Sequence, residues 1–374
     1  MVRVLAAASG GEGHLGPLLA FVDAALRAGD QVVVVVPPEQ EATIRVRGLE
    51  YVLTAGVAPA AVSAIHRAMA DAGDIDRVRL AEVELFGRLC TDAALPTLEV
   101  VCDWFRPDLI LREPCDYASA IVAHRSAILT AQIAISPGTA DWDGLHFAAQ
   151  VVEPIEPGVT AMVEQAPYLS RFPSIDSPFP DCRAYGFTIG LDHREVQNPP
   201  LIWITFGTVN SRFDAQADTW QAALRAVEDL PVQAVASVGR AGPRLAAPSN
   251  TSIVDWIELP EILARASLIV CHGGSGTTLA ALSAGIPLVV IPLLADQGSN
   301  ATMVEELGAG VAIRPDSDGP LRGLTLNDAA RVRAAITDVL VVDAYSTAAR
   351  RVADDLTGRP TITELMDRLR AQVH

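Results

Sequence analysis

A run of five valines, Val32 to Val36, constrains the fold of the N-terminal half more than any other local feature. β-branched side chains favour strands, and a strand this apolar must be buried on both faces. A similar apolar run, Val2 to Ala8, precedes it, and apolar residues at helical spacing follow from His14 to Ala28 and stop at Gly29. Strand, helix and strand in this order predict a βαβ unit with parallel strands.

The same alternation returns in the second half of the chain. After Pro199-Pro200 an apolar strand is predicted over Leu201 to Phe206, and further strands and helices follow. A chain of 374 residues is long enough for two domains. The predicted fold class is α/β, with two Rossmann-like domains that face a central cleft, where the ligands of such sheets bind. The proline-rich stretch from Ser136 to Pro200 is predicted to form interdomain loops.

The charged residues exclude several functions. All 28 basic residues are Arg, and the chain has no Lys, so neither a Walker-A phosphate loop nor a Schiff-base enzyme can be built. The 45 acidic residues give a net charge of −17, which argues against binding to nucleic acid or to anionic membranes. We therefore expect neither nucleic acid nor membrane as a partner.

One long uncharged stretch requires a separate explanation. Residues 266–295 contain no Asp, Glu, Lys or Arg, and 30 residues could span a bilayer. However, Gly273, Gly274, Pro287 and Pro292 divide the stretch into strand, turn, helix and strand, which predicts a buried α/β unit. The five Cys lack C-x-x-C spacing, and Met1 to Ala8 is too short for a signal sequence, so reduced thiols and a cytoplasmic location are expected.

The turn after the first strand allows two interpretations. Gly11-Glu12-Gly13-His14-Leu15-Gly16 matches the G-x-G-x-x-G pattern of dinucleotide-binding proteins, with Glu39 near the position of a ribose-binding acid. The second interpretation takes Gly13-His14-x-x-Pro17 as the motif, in which His14 at a helix N-terminus is a general base. The first predicts an NAD-dependent oxidoreductase, and the second an enzyme that removes a proton from its substrate.

A glycine-rich turn in the second half is more specific. From Val270 to Thr278 an apolar strand leads through His272-Gly273-Gly274 directly into a helix. The N–H groups of Gly276, Thr277 and Thr278 and the nearby hydroxyls would bind phosphate, with help from the helix dipole. Asp296-Gln297, in a later strand-end loop, can hydrogen-bond adjacent sugar hydroxyls. These features predict a site for a sugar phosphate that needs neither metal nor Lys.

These segments closely resemble the donor signature of GT-B glycosyltransferases, specifically the family 1-type antibiotic and natural-product enzymes of actinomycetes. The resemblance covers nearly the whole chain. It implies a GT-B fold with an acceptor-binding domain at 1–190, a donor-binding domain at 191–355, and a last helix at 356–374 that packs back on the first domain. Its landmarks occur in order: Gly13-His14-x-x-Pro17, Pro107-Asp108-Leu109-Ile110, Thr205-Phe206-Gly207-Thr208, Val254-Asp255-Trp256-Ile257, His272 to Thr278, Asp296-Gln297 and Asn300-Ala301.

The resemblance implies an inverting transfer of a sugar or deoxysugar. The donor would be a TDP- or UDP-sugar, and the acceptor a hydroxyl of a small aglycone such as a polyketide. His14 would be the base, oriented by Glu113 or, as second choice, by Asp116; the family usually has Asp at the position of Glu113. Phe86, Trp142 and Phe147 are candidates for the acceptor pocket. The implied donor contacts are Gly13, Thr208, Trp256, Ile257, His272, Gly274, Ser275, Gly276, Thr277, Asp296 and Gln297.

The sequence is also compatible with several different functions. Some C-glycosylating relatives use an Asp in a loop like Asp141-Trp142-Asp143-Gly144, so Asp141 or Asp143 could be the base for transfer to a phenolic carbon. An NAD-dependent oxidoreductase, a sugar-nucleotide 2-epimerase and a catalytically inactive GT-B partner protein stay open as well. No metal or cofactor is expected, because the nucleotide sugar is a co-substrate. The oligomeric state is left open, with a homodimer as one expectation.

Overall fold

The computed structural model describes residues 1–173, 177–191, 193–195, 197–207, 217–239, 242–315 and 323–373. These residues form two compact units, each with its own parallel β-sheet. Unit 1 consists of Met1–Gly186 and Arg359–His374, and unit 2 consists of Phe187–Gly358. The chain therefore leaves unit 1 once and returns to it with its C-terminal segment.

Unit 1 is built on a seven-stranded sheet in which every pair of neighbours is parallel. The strands are β1 (Arg3–Ala7), β2 (Gln31–Val36), β3 (Tyr51–Leu53), β4 (Leu109–Arg112), β5 (Leu129–Ile133), β6 (Tyr168–Ser170) and β7 (Cys182–Ala184). Their order is β3-β2-β1-β4-β5-β6-β7. The carboxyl ends of β1 and β4 are therefore adjacent at one edge of the sheet.

Unit 2 contains a six-stranded parallel sheet. Its strands are β8 (Leu201–Thr205), β9 (Gln233–Ser237), β10 (Thr251–Val254), β11 (Leu268–Cys271), β12 (Leu288–Val290) and β13 (Gly310–Ala312). Their order is β10-β9-β8-β11-β12-β13, which places β8 next to β11. Two parallel-sheet, Rossmann-like units confirm the predicted fold class.

Helices connect the strands in both units. The described helices of unit 1 are α1 (Glu12–Arg27), α2 (Glu41–Val46), α3 (Pro59–Asp71), α4 (Asp74–Arg79), α5 (Thr91–Phe105), α6 (Tyr117–Arg125), α7 (Gly138–Val152) and α8 (Val159–Gln165), with a π-helical segment at Leu80–Cys90. Those of unit 2 are α9 (Ala217–Val227), α10 (Leu259–Arg265), α11 (Ser275–Ser283), α12 (Gln297–Glu306), α13 (Ala329–Val341) and α14 (Asp343–Gly358). The last helix, α15 (Ile362–Arg370), belongs to unit 1. Short 3₁₀ turns lie at Pro38–Gln40 and Leu326–Asp328.

The valine run of β2 is buried on both faces of the sheet, as its sequence predicts. Val32, Val34 and Val36 pack into the core on one face. Val33 and Val35 pack into a second core on the opposite face, because successive side chains of a strand alternate. Helix α1 covers the first face, and α5 covers the second.

The C-terminal helix α15 is attached to unit 1 by apolar and polar contacts. Its Leu365, Met366 and Leu369 belong to the core that contains α1. Arg370 Nε donates to Asp30 Oδ2 at 2.7 Å, and Asp30 Oδ1 accepts the N–H of Val2 at 3.0 Å. The end of the chain therefore supports the start of β1.

The prediction of interdomain loops from Ser136 to Pro200 is wrong for most of this stretch, although the division between the two units does fall within it, after Gly186. This stretch contains α7, α8, β6 and β7, and β6 and β7 complete the sheet of unit 1.

The uncharged stretch 266–295 forms β11, a turn, α11 and β12. Among the described helices, none is both long and apolar enough to cross a membrane.

Candidate functional site

His14 lies in the first turn of α1, directly after the glycine-rich turn that follows β1. Position 10 in this turn must be glycine, because a Cβ on Gly10 would lie 2.4 Å from Cγ of the His14 ring. The His14 side chain is 21% exposed, so one part of the ring reaches solvent. Gly13, an implied donor contact, is exposed on the same turn of the helix.

Glu113 follows β4 directly and is fully buried. Its Oε1 accepts the N–H of Ser9 at 3.1 Å and the Ser9 hydroxyl at 2.7 Å, and its Oε2 accepts the N–H of Cys115 at 2.7 Å. Its Oε2 also lies 3.1 Å from Nδ1 of His14. Burial raises the pKa of Glu113, but His14 and Ser9 outweigh burial and lower the pKa to about 2. Glu113 is therefore an ionised partner of His14.

The His14 ring is affected by several carboxylates. Burial lowers the pKa of His14, and the negative charges of Glu113, Glu82 and Asp141 together raise it above its ordinary value. The contact with Glu113 has ion-pair distance without hydrogen-bond geometry, and Nδ1 makes no hydrogen bond within the described part of the chain. Such contacts are often loose in an enzyme without substrate.

The other predicted acids lie elsewhere in unit 1. Asp116, the second candidate partner of His14, caps α6 instead, and its Oδ1 accepts the N–H of Ser119 at 2.9 Å. Asp141 is buried and accepts hydrogen bonds from the hydroxyls of Ser136 and Tyr168. Asp143 is exposed on α7. The structure thus brings Glu113, and not Asp116, to His14.

A carboxylate that the sequence did not predict lies beside the His14 pair. Glu82, on the π-helical segment, accepts the hydroxyl of Tyr117 at 2.9 Å, and both of its oxygens lie 3.8 Å from Sγ of Cys115. Burial raises the pKa of Glu82 to about 7, against the opposing effect of the Tyr117 hydrogen bond. No motif marks Glu82, although π-helical turns are often found at functional sites.

Among the ring pairs of the described residues, only one of the three predicted acceptor residues contacts His14. The Phe86 ring lies 5.1 Å from the His14 ring. Trp142 packs instead against His146 and Phe179, with ring centroids at 4.8 and 5.1 Å. Phe147 is half-buried on α7, where its carbonyl accepts from Gln150. Phe86 is therefore the predicted acceptor residue that the structure places beside His14.

In unit 2, His272 lies in the turn between β11 and α11, closely enclosed by glycines. A Cβ on Gly274 would lie 2.4 Å from His272 Nε2, and a Cβ on Gly207, at the end of β8, would lie 2.9 Å from it. Gly207 has φ +73° and Gly273 has φ +84°, a region that favours glycine. Burial lowers the pKa of His272 to about 4, against a smaller effect of the Thr205 carbonyl, so the ring is neutral at pH 7.

The N-terminus of α11 differs from its prediction at one group. The N–H of Thr278 donates to the carbonyl of Gly274 at 3.0 Å, so it belongs to the helix and is not free for phosphate. Because α11 begins at Ser275, the N–H groups of Ser275, Gly276 and Thr277 are those at its open first turn. The open N–H groups at this helix end thus begin one residue earlier than the sequence predicted.

Asp296 and Gln297 have different environments. Oδ2 of Asp296 accepts the Ser275 hydroxyl at 2.5 Å and the amide of Asn300 at 2.9 Å. Asn300, which is fully buried, also donates to the Ser275 hydroxyl at 3.0 Å. The buried Gln297 uses its Oε1 to accept the N–H groups of Leu293 and Leu294, both at 2.9 Å. The turn at α11 and the sugar-binding candidate Asp296 are therefore directly connected.

The remaining donor candidates flank β10 and β8. Trp256 is 61% exposed, and its indole N–H donates to Glu258 at 2.8 Å. Ile257 is half-buried next to it. Thr208 lies outside the described residues.

Comparison with known proteins identifies the class to which these features belong. Residues 222–372 match the family of the erythromycin biosynthesis protein CIII-like C-terminal domain. The chain is 27% identical over 391 positions to L-demethylnoviosyl transferase of Streptomyces niveus, which covers 99% of this chain and 98% of that protein. It is 38% identical over 123 residues to elloramycin glycosyltransferase ElmGT of Streptomyces olivaceus. This alignment covers 33% of this chain and 28% of ElmGT.

Solved structures agree on the fold. CalG4, the calicheamicin glycosyltransferase, superposes with a TM-score of 0.79 at 21% identity. The superposition covers 99% of this chain and 98% of CalG4. Spinosyn rhamnosyltransferase SpnG, solved in complex with thymidine diphosphate, has a TM-score of 0.78 at 20% identity and covers 98% of this chain and all of its own. The fold of the chain is thus the GT-B fold. The chain is therefore a glycosyltransferase that is similar in sequence to the enzymes of antibiotic and natural-product biosynthesis.

Proposed function

We propose that this enzyme transfers a sugar or deoxysugar from a TDP- or UDP-sugar to a hydroxyl of a small aglycone, with inversion at the anomeric carbon. The observation that carries the proposal is the pair formed by the partly exposed imidazole of His14 and the buried carboxylate of Glu113, 3.1 Å apart. A buried carboxylate behind an imidazole is the arrangement that makes a His an effective general base.

The acceptor hydroxyl loses its proton to Nε2 of His14 as its oxygen attacks the anomeric carbon. The bond from that carbon to the diphosphate breaks on the opposite side, so one displacement inverts the configuration. The imidazolium that forms is stabilised by the ionised Glu113. Since Phe86 packs against the His14 ring, an apolar or aromatic acceptor has a matching surface beside the base.

The diphosphate would be bound at the N-terminus of α11 in unit 2. The open N–H groups of this helix favour an anion, and the neutral His272 can donate a hydrogen bond to a phosphate oxygen as negative charge develops. Asp296 would bind a sugar hydroxyl, and so would the side-chain NH₂ of Gln297, because the Oε1 of Gln297 already accepts two backbone N–H groups. The exposed Trp256 would stack on the pyrimidine. These groups need no metal ion, so we propose metal-independent transfer.

The nucleotide and acceptor are proposed from the relatives. SpnG was solved with thymidine diphosphate, and other relatives are named for elloramycin and calicheamicin. A thymidine-linked deoxysugar and a polyketide-like aglycone are therefore the first substrates to test. Transfer to carbon has less support. The carboxylate of Asp141 already accepts hydrogen bonds from the hydroxyls of Ser136 and Tyr168, and Asp143 is exposed on α7.

The test is a mass-spectrometric transfer assay with TDP- and UDP-sugars against a panel of aromatic polyketide aglycones, with and without EDTA. We expect an O-glycoside whose anomeric configuration, read by NMR, is opposite to that of the donor. His14→Ala should reduce transfer by roughly 10²-fold or more, whereas His66→Ala, at an exposed His on α3, should not. Retention of configuration, a C-linked product, or full activity of His14→Ala would contradict the proposal.

A further inference from the structure

Three side chains in unit 1 have the spacing of ligands to a metal ion. One ligand atom each of His14, Glu113 and Cys115 lies within 4.8 Å of the other two, and this is the one such His, Cys, Asp or Glu group found among the described residues. Imidazole, carboxylate and thiolate are the three ligand types that Zn²⁺ prefers. The proposed reaction uses His14 and Glu113 but has no role for the thiol of Cys115.

The electrostatic environment of this triad favours a cation. Besides Glu113, the acidic groups that raise the pKa of His14 are Glu82 and Asp141. Both oxygens of Glu82 lie 3.8 Å from the Cys115 sulfur, which makes Glu82 a candidate fourth ligand. The nearby Arg112 has its guanidinium bound to the carbonyls of Pro114 and Asp116 and to the Gln132 side chain. The acidic side chains around the triad therefore outnumber the basic ones named here.

The distances fit a tetrahedral ion with little rearrangement. Zn–N and Zn–O bonds of about 2.0–2.2 Å place two ligands about 3.4 Å apart. Nδ1 of His14 and Oε2 of Glu113 are already 3.1 Å apart, without hydrogen-bond geometry between them. The thiol, at most 4.8 Å away, would need to approach by about 1 Å at the largest separation.

We infer that His14, Glu113 and Cys115 form a zinc-binding site whose occupation inhibits the enzyme. Binding of Zn²⁺ displaces the proton of the Cys115 thiol to solvent. A neutral imidazole that gives Nδ1 to the metal carries its proton on Nε2, so it cannot accept a proton from a substrate there. The inhibition, unlike the binding, rests on the proposed role of His14 as base.

Binding is tested first, on the whole enzyme without any nucleotide sugar. Calorimetric titration with ZnCl₂ should give one ion per chain, with proton release that scales with the ionisation enthalpy of the buffer. Cys115→Ser and His14→Ala should each bind Zn²⁺ roughly tenfold or more weakly, since even indirect support of a ligand is worth that much. Cys182→Ser, which removes an exposed thiol, is the matched control and should bind as the wild type does.

A spectroscopic measurement on the unmodified enzyme avoids dependence on a variant that fails to fold. Co²⁺ in place of Zn²⁺ should produce a thiolate-to-metal charge-transfer band, because cysteine is a ligand. Absence of stoichiometric Zn²⁺ binding, absence of this band, or wild-type affinity of the folded Cys115→Ser enzyme would each overturn the site.

Inhibition is tested separately in the transfer assay. Transfer should decline over the same Zn²⁺ concentrations at which the site fills, and EDTA should restore it. Zinc bound at the triad with undiminished transfer would overturn the inhibitory role. An enzyme without any transferase activity would refute the proposed function and leave the binding result to be judged by calorimetry.

Discussion

His14 and Glu113 are 3.1 Å apart because their strands are neighbours in the sheet of unit 1. β1 and β4 pair in parallel with Ala7 opposite Arg112, so the turns after the two strands begin at the same edge. Glu113 follows its strand directly and bonds to Ser9, which follows the other. The parallel register thus builds the pair from residues far apart in sequence.

The charge of Glu113 should set the pH dependence of transfer. A base works only when unprotonated, so kcat/KM should rise with pH through the pKa of His14, which the acidic neighbours hold above its ordinary value. Glu113→Gln removes the largest raising influence and leaves burial, which lowers this pKa. We expect kcat/KM to fall by roughly 10²-fold or more and the acidic limb of the profile to move to lower pH.

The measurement is a kcat/KM profile for wild type and Glu113→Gln. Glu84→Gln is the control, because Glu84 forms a partly exposed pair with Arg88. An acidic limb at the same pH in Glu113→Gln and wild type would contradict the proposed coupling.

Close packing of the π-helical segment should depend on Gly87. A Cβ there would lie 2.7 Å from Val151 Cγ2 and 2.8 Å from the carbonyl of Glu82. Gly87→Ala should lower the free energy of unfolding by about 1–3 kcal/mol, because the backbone of the segment must move away from α7. It should also reduce transfer, since Glu82 and Phe86 lie on this segment.

Urea denaturation compares Gly87→Ala with Gly16→Ala, where a Cβ on α1 would have no neighbour within 4 Å. The control should keep or gain stability, by up to about 1 kcal/mol from helix propensity. Equal stabilities of the two variants would show that the π-helical segment can adjust without cost.

The fold was predictable where one residue pattern has one structural solution. Val32–Val36 must be buried on both faces, and β2 is buried on both. The stretch that holds α7 was misjudged because its apolar spacing is weak and its Gly, Asp and His favour turns. Its place is fixed by packing against the π-helical segment, a long-range contact that no local pattern contains.

The site was predictable to a similar extent. The resemblance implies that Glu113 orients His14, and the two residues lie 3.1 Å apart because the strands before them pair in parallel and end at one edge of the sheet. Asp116 has the same residue type as the family's usual acid, but it is placed to cap α6. Glu82 could not be found, because its approach to Cys115 depends on the wider π-helical turn and on Gly144, whose missing Cβ leaves room for the carboxylate.

Trp256 should contribute to nucleotide affinity and not to stability. The side chain is 61% exposed, so it has little packing to lose. Trp256→Ala should weaken TDP binding by about 1–3 kcal/mol, the typical worth of stacking a base on an aromatic ring, with an unchanged melting temperature. Calorimetric TDP titration checks this against Trp104→Ala, a 53% exposed Trp of unit 1 that should leave the affinity unchanged. Equal affinities for the two variants would remove Trp256 from the donor site.

The neutral ring of His272 should bind diphosphate as a hydrogen-bond donor held in place by glycine. Because its pKa is about 4, its charge does not change between pH 6 and 8, so it should add no pH dependence to TDP affinity in that range. Gly274→Ala would place a Cβ 2.4 Å from Nε2 and displace the ring. Loss of a hydrogen bond to a charged group should weaken TDP binding by about 1.5–3 kcal/mol.

Three variants test this at fixed pH by TDP titration. His272→Ala and Gly274→Ala should weaken binding to a similar degree, since both remove the same donor from the site. Gly298→Ala is the control, because a Cβ at this position of α12 has no neighbour within 4 Å. If Gly274→Ala bound TDP as tightly as Gly298→Ala while His272→Ala did not, the ring would bind nucleotide from a position other than the one between Gly207 and Gly274.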